Sequence, residues 1–482
     1  MITLTDLFCG AGGSSTGATK IPGVQVRMAA NHARKAVNTH QANHPDADHD
    51  CADISQVVPT RYPATDILWA SPECTNHSRA KGRRRGHGEF NDGLFATDGT
   101  DEAAIRSRAT MWDVPRFAEA HRYPIIIVEN VPDARWWGPD DMPGGTFDAW
   151  LAVMRSWGYE HRIIYLDSAH AQAYGPGSRS RRPRMYVKFW LKGHRAPDFE
   201  KWLRPYGDCP MHGRLQLIQA WKHTKMSSPD RPWGVYGKSG QYLYRCPRVE
   251  CRNAIVEPAV RSAAEAIDWS LPAQVIGDRS RALKPNTMRR IREGFDRFAR
   301  PLLVPTEGRE GKTADPADRP LRTVTTRNET GLAVPPYMVE LRGGGSSHRS
   351  AAAPMSTVTA GGNHHGLVTA PDLLVPYYTN GNAQLAAEPM ATVTTVERHS
   401  LLVGGRVAAV EECRFRMIEP HEYARAMEFP DDYVFIGETA GKPPTKRQWV
   451  EMVGNAVTPN VARDLVAMAV EALTGEAIEP AA

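Results

Sequence analysis

From residue 2 to about residue 191, short apolar runs alternate with stretches of helical spacing. No other feature restricts the fold as much. The runs fall at 2–8, 24–30, a short one ending at 50–54, Ile67–Ala70, 124–128, 161–166 and 185–191. Between them, 33–43, 103–121 and 147–157 read as helices. Strands alternating with helices predict an α/β fold with a parallel, helix-covered sheet. In open α/β sheets, ligands gather at the carboxyl ends of the strands. The polar residues just after each run are therefore the candidate site residues.

The first run leads into Cys9, Gly10, Ala11, Gly12, Gly13, Ser14 and Ser15. Glycines permit a tight turn and close approach of a ligand, and Ser14 or Ser15 can cap the helix that follows. Exposed N–H groups there favour an anion. The spacing is not G-x-G-x-x-G, which argues against a nicotinamide cofactor. The second run ends at Asn31 and His32, where a polar side chain can meet a ribose. Asp53 is placed to accept from an exocyclic amine. Ile67–Ala70 lies between Pro63 and Pro72 and leads to Cys74, set among Glu73, Thr75, Asn76 and His77. Most free cysteines are small buried hydrophobes, but this setting suits a nucleophile presented to a cleft. Residues 124–128 deliver Glu129 at the end of an apolar strand. Desolvation there suits a carboxyl to proton donation. Two basic runs flank these elements, Lys81, Arg83, Arg84 and Arg85 first, then Arg179, Arg181, Arg182 and Arg184. Guanidinium groups clamp carboxylates, carbonyls or phosphates.

The 482 residues suffice for two or three folding units, and 41% hydrophobic content indicates a globular chain. No apolar run approaches the roughly 18–20 residues of a membrane span. The N-terminus lacks the pattern of a signal peptide. A monomer without a membrane partner is expected. Seven scattered cysteines fit a reducing compartment, with free thiols or a metal site. A net charge of +5 is compatible with nucleic acid.

Beyond residue 191 the alternation stops. Cys209 and His212, then Cys246 and Cys251, form two close pairs of the soft ligands that zinc favours in tetrahedral sites. Between 301 and 405 a hexapeptide recurs. Pro320-Leu321-Arg322-Thr323-Val324-Thr325 returns 34 residues on as Pro354-Met355-Ser356-Thr357-Val358-Thr359, and 35 residues further as Pro389-Met390-Ala391-Thr392-Val393-Thr394. An apolar segment follows each copy, so three β units are expected. Helical spacing resumes at 420–428 and from 448 to 471, the latter interrupted by a Gly454-Asn455 turn that could meet a ligand.

Taken in order, DLFCGAGGSSTG at 6–17, SPEC at 71–74, ENV at 129–131, Arg182-x-Arg184, EPHEYARAMEFPDDY at 419–433 and GNAVTPNVA at 454–462 resemble the DNA (cytosine-5)-methyltransferase family. The similarity spans about 1–191 and 411–470. It implies a Rossmann-like methyltransferase sheet that binds S-adenosylmethionine, with a separate, largely β target-recognition domain. The implied division is a catalytic domain at 1–192, a target-recognition region at 193–410 that includes the candidate zinc site and the repeats, and a returning C-terminal segment at 411–482. Cofactor contacts would come from Phe8, Gly10, Ala11, Gly12 and Gly13, from Asn31 and His32, from Asp53 and Ile54, from Pro72, and from Asn455 and Ala456. The Cys74 thiolate would add to C6 of a cytosine flipped from double-stranded DNA. Glu129 would hold N3 and the amino group, Arg184 would contact O2, and Arg182 would support it. The chain departs from the family pattern at Glu73, where a second proline is usual, at Asn31, where an acid is usual, and at Ser180, where a glutamine is usual. An RNA cytosine methyltransferase or an inactive DNA-binding homologue are the rival expectations. A restriction–modification or phage setting would put such an enzyme in the cytoplasm of a bacterial or phage-infected cell, held at the nucleoid by its DNA.

Overall fold

The computed structural model describes residues 1–73, 109–139, 141–223, most of 233–292, the strands between 302 and 403, most of 348–360, and 413–479. Cys74, the basic run at 81–85, residues 103–108 and the first and third copies of the hexapeptide lie outside the described residues.

Seven strands form the principal sheet: β1 (Ile2–Leu7), β2 (Val24–Ala30), β3 (Asp48–Asp50), β4 (Ile67–Ala70), β5 (Ile125–Asn130), β6 (Tyr159–Asp167) and β7 (Pro183–Leu191). Their order is β3-β2-β1-β4-β5-β7-β6. The neighbours from β3 to β5 pair in parallel, whereas β7 runs antiparallel to both β5 and β6. The expectation of a wholly parallel sheet fails at this strand. A parallel neighbour needs a crossover of a dozen or more residues, usually through a helix. The link at 168–182 holds only a short turn at Ser168–His170, so the chain doubles back beside β6.

Helices α1 (Gly13–Ala18), α2 (Arg34–Asn43), α3 (Asp113–His121) and α4 (Gly145–Ser156) follow the strands. Late in the chain come α5 (Pro420–Ala426), α6 (Lys446–Asn455) and α7 (Pro459–Thr474). Side chains alternate across the pleat. Leu68, Ile126 and Val128 pack on one face with Phe117 of α3 and Trp150 of α4. Ile67, Trp69, Ile125 and Ile127 pack on the other with Val461, Leu465 and Met468 of α7. Lys188 is buried within β7, and its Nζ donates to the Leu465 carbonyl at 2.7 Å.

Two compact units divide the chain. The first comprises 1–261, 354–362 and 420–482, and the second comprises 262–353 and 363–419. The middle hexapeptide thus packs in the first unit. Arg181 N–H donates to the Met355 carbonyl at 2.7 Å, and Met355 N–H donates to the Arg179 carbonyl at 2.8 Å. Within the second unit the described strands of 302–403 form three β units. Tyr337–Glu340 pairs antiparallel with His348–Ser350 and His365–Thr369. Leu302–Pro305 and Asp372–Pro376 each pair with two following strands in the same way. Among the described residues, no helix is long and apolar enough to cross a membrane.

Helix α1 packs closely against α7. A Cβ on Gly17 would lie 2.2 Å from the Pro459 carbonyl oxygen and 2.8 Å from Arg463 N. Helix propensity alone favours alanine over glycine by about 1 kcal/mol. Overpacking against rigid backbone typically costs about 1–3 kcal/mol and wins here. Gly17→Ala is therefore expected to lower stability, read as a drop in thermal midpoint. An unchanged or raised midpoint would show that the helices separate freely.

Candidate active site

The carboxyl ends of β3, β2, β1 and β4 lie side by side, because these strands are parallel neighbours. At the end of β1 the chain turns through left-handed backbone at Phe8 (φ 58°), Gly10 (φ 52°) and Gly12 (φ 87°). For phenylalanine that conformation is uncommon. Gly12 is the N-cap of α1. Ser14 and Ser15 instead donate from Oγ to Oδ2 of the buried Asp6, at 2.5 and 2.6 Å. Burial pushes the Asp6 carboxyl up to about 6, against the lowering effect of these serines. Among the described residues, a Cβ on Gly10 would meet nothing within 4 Å, so the turn opens onto free space there. A Cβ on Gly13 would lie 1.9 Å from the Val457 carbonyl oxygen, so the other side of the turn is closed by the start of α7.

A histidine cluster unforeseen in the sequence lies beside this turn. Ser15 Oγ lies 2.8 Å from His40 Nε2, and His40 Nδ1 lies 2.8 Å from His49 Nε2. His44 Nε2 lies 3.0 Å from Thr16 Oγ1. The Tyr433 hydroxyl donates to the Ala11 carbonyl at 2.5 Å and brings the 419–433 motif onto the turn. Burial, then the neighbouring His44 and His49, hold the His40 imidazole well below its ordinary value. Burial pushes His44 down to about 4.

Asn31 is buried, and its Oδ1 accepts from Ala33 N–H at 2.9 Å. His32 Nδ1 lies 3.6 Å from a Glu73 carboxylate oxygen, which links the ends of β2 and β4. Asp53 accepts from Ser55 N–H at 3.1 Å and from Gln56 Nε2 at 3.0 Å, while Ile54 is buried. The Tyr62 hydroxyl donates to Asp50 at 2.9 Å. Asn455 is exposed at the end of α6, and Ala456 beside it is buried.

At the end of β5, Glu129 is buried and accepts from Arg184 Nε at 2.7 Å. The apolar strand therefore delivers a paired carboxylate. Register explains the partner, since β7 lies beside β5 and opposes Tyr186 to Glu129. Arg182 is buried, and its Nη1 donates to the carbonyls of Gly454 at 3.0 Å and Val358 at 3.3 Å. It ties three distant segments together. Ser180, also buried, directs Oγ to the Met427 sulfur at 3.4 Å. Asn130 Nδ2 reaches the Pro72 carbonyl at 3.5 Å, so the chain leaves β4 beside the end of β5. Cys74, two residues after Pro72, lies outside the described residues.

Away from this edge, Cys209, His212, Cys246 and Cys251 bring their ligand atoms within 4.8 Å of one another.

The model of the C-5 cytosine-specific DNA methylase family matches residues 2–205 and 322–470. The chain belongs to that family. Its members are S-adenosylmethionine-dependent methyltransferases acting at cytosine C5. No curated protein matches the chain. Among solved structures, a mutant DNMT2 of Spodoptera frugiperda shares 12% identity at a TM-score of 0.47, over 98% of this chain and 100% of that one. A prophage-encoded DNA modification methyltransferase from E. coli, named as putative, shares 14% at 0.46, over 99% and 100%. The S. pombe Dnmt2 methyltransferase shares 12% at 0.47, over 98% and 100%. Likeness at this level carries no argument, and membership rests on the family match. The turn at Phe8–Gly12 fits the family's cofactor in one respect, the free space beside Gly10 at the ligand-binding edge of the sheet.

The methyltransferase fold should weaken in acid. His40 and His44 lie below their ordinary 6.5 in the folded chain, so their contribution is full above pH 6.5 and is lost as pH falls through about 4 for His44. Asp6, raised from 3.8 to about 6, acts oppositely, its contribution being full below 3.8 and lost as pH rises through about 6. Burial pushes His170 down to about 4 as well and raises Asp113, Glu428 and Asp464, so substitution isolates the part that belongs to His44. Melting between pH 7 and pH 4 should show a falling midpoint, and His44→Gln should remove roughly 2–3 kcal/mol of that fall. An identical acid limb in the variant would rule out His44 as a source.

Proposed function

We propose that this methyltransferase transfers the methyl group of S-adenosylmethionine to C5 of a cytosine flipped out of a specific double-stranded DNA sequence, through a covalent bond between Cys74 and C6. The observation that supports it most is the buried Glu129–Arg184 pair at 2.7 Å, placed where β4 hands the chain toward Cys74. The family match supplies the reaction class.

C5 of cytosine is a weak nucleophile, and adding a thiolate at C6 divides one hard step into easier ones. The Cys74 thiolate donates the pair that forms the S–C6 bond. Glu129 relays a proton from solvent to N3 and accepts from the exocyclic amine, so the C5=C6 pair shifts to C4=C5 and C5 becomes nucleophilic. Arg184 orients Glu129 and contacts O2, and Arg182 holds the strand from behind. S-adenosylmethionine supplies an electrophilic methyl group when bound. Phe8, Gly10, Ala11, Gly12 and Gly13 would face its amino-acid end, Asn31 and His32 its ribose, and Asp53 and Ile54 its adenine. Pro72, Asn455 and Ala456 would complete that site. Water takes the C5 proton, the C6–S bond breaks to release the thiolate, and the proton on N3 returns through Glu129. The second unit, rich in β structure, would read the duplex, and the enzyme would act as a monomer in the cytoplasm, held at the nucleoid by its substrate.

Duplex DNA containing 5-fluorocytosine should trap a denaturation-resistant adduct with the wild-type chain and none with Cys74→Ser. RNA carrying the same base should trap none. An adduct on RNA alone would make the substrate RNA, and no adduct on any nucleic acid would overturn the mechanism. Glu129→Gln should lower the methyl-transfer rate about 10²–10⁴-fold while S-adenosylmethionine still binds. Tritium transfer from labelled cofactor and equilibrium binding measure the two effects.

A further inference from the structure

We propose that Cys209, His212, Cys246 and Cys251 hold one zinc ion in a closed structural site, separate from the methyl-transfer edge. Two turns present the ligands. The first joins β8 (Tyr206–Cys209) to β9 (Gly213–Gln216), which pair antiparallel. His212 N–H donates to the Cys209 carbonyl at 3.2 Å, and Gly213 takes left-handed backbone with φ 65°. The second follows β11 (Tyr242–Arg245), which pairs with β10 (Ile218–Trp221). There Arg248 N–H donates to Cys246 Sγ at 3.5 Å, and Asn253 Nδ2 donates to the Cys246 carbonyl at 3.1 Å. Arg252 and Asn253 both carry positive φ, at 55° and 48°. Left-handed non-glycine residues cost of order 1–3 kcal/mol each and persist where surrounding interactions over-determine them.

The four ligand atoms converge as an ion requires. His212 Nδ1 lies 3.5 Å from the sulfurs of both Cys209 and Cys246. With metal–sulfur bonds of about 2.3 Å, tetrahedral geometry puts ligand atoms roughly 3.5–4 Å apart. The three cysteines are free thiols, so no disulfide competes for them. The outer nitrogen, His212 Nε2, lies 4.0 Å from a Glu250 carboxylate oxygen. At that distance the carboxylate favours a proton on Nε2 by charge rather than by a hydrogen bond, which leaves Nδ1 free to ligate. Three thiolates and one imidazole suit zinc, and four protein ligands leave no open position for substrate.

The ion would brace a small module against the sheet. The two-stranded pairs β8–β9 and β10–β11 are each too small to be stable alone. They rest on the β6 side of the sheet, where Gln219 Nε2 donates to the Tyr165 carbonyl at 3.0 Å. The ring of His170 lies 4.6 Å from that of Tyr236 and 5.3 Å from that of Tyr244, and the Arg181 guanidinium sits 5.1 Å above Tyr236. Cys246 immediately follows the strand that carries Tyr244, so tethering it to the first turn holds this aromatic platform in place.

Metal analysis of the purified full-length chain should find about one zinc per chain. Cobalt substitution should give the visible bands of a tetrahedral, thiolate-rich site. Cys246→Ser should lose the ion, and His212→Cys, which keeps a four-ligand set, should retain it. Chelation should open new protease cleavage within 205–259 and leave the sheet resistant. A folded chain that carries no zinc and takes none up, or one loaded with iron instead, would overturn the proposal. If Cys246→Ser fails to fold, the wild-type stoichiometry and the cobalt spectrum still decide. None of these readouts depends on methyl transfer.

Discussion

The first unit is held together by the near contact of α1 with α7, which two glycines make possible. Gly13 lies against the Val457 carbonyl and Gly17 against Pro459, at separations where a Cβ would overlap backbone. Residues more than 440 positions apart thereby form one edge of the site. The same helix reaches the β6–β7 edge of the sheet. Asp464 accepts from Ala173 and Tyr174 N–H at 2.9 and 3.2 Å, and Asn460 Nδ2 donates to the Ser168 carbonyl at 2.7 Å. These bonds shape the link that feeds β7. The turn at the end of β1 and the arginines at the start of β7 therefore take their places from one helix. Burying polar groups in α7 is tolerable because each of these bonds replaces one to water.

Electrostatics explains why the far edge uses guanidinium groups. Glu129 and Arg184 are both buried, and an isolated charge in either position would be costly. Arginine stays protonated and presents a fixed fork, so it can hold the carboxylate with Nε while Nη1 bonds the Pro183 carbonyl at 3.0 Å. Arg182 spends its Nη1 on two backbone carbonyls from segments 354–362 and 446–455. Arg182 precedes β7 and Arg184 lies within it, and the two divide the work, one closing the fold and the other meeting the acid.

Much of this was readable before the coordinates. The apolar runs beside prolines located β4 and β5, because Ile67–Ala70 and residues 125–128 are wholly apolar and buried. Strand direction was not readable, since hydrophobic periodicity is the same read either way, and the reversal of β7 depended on what 168–182 failed to form. The pairing of Glu129 with Arg184 comes from long-range register, which has no local signature. His40 and His44 stand four apart and so share a helix face, a signal present in the sequence. Their partner His49 arrives only through the pairing of β2 with β3. Ser14 and Ser15 looked like caps because serine caps helices often. Asp6 beneath them, stripped of water, was the stronger acceptor.

The repeats show how equal sequences acquire unequal structures. The strands described between 302 and 403 make three three-stranded antiparallel units, and units of that size have little core of their own. The middle unit gains more. Its strand His365–Thr369 also pairs with Arg414–Met417, which pairs in turn with Gln274–Val275, giving a five-stranded sheet. Tyr337, Val339, Val368 and Phe415 pack into its core with Ile276 and Ile291. A strand has two edges, and Arg414–Met417 has both occupied. It can serve one copy of the repeat and no other. The hexapeptide between Ser350 and His365 is tied to Arg179 and Arg181 through Met355.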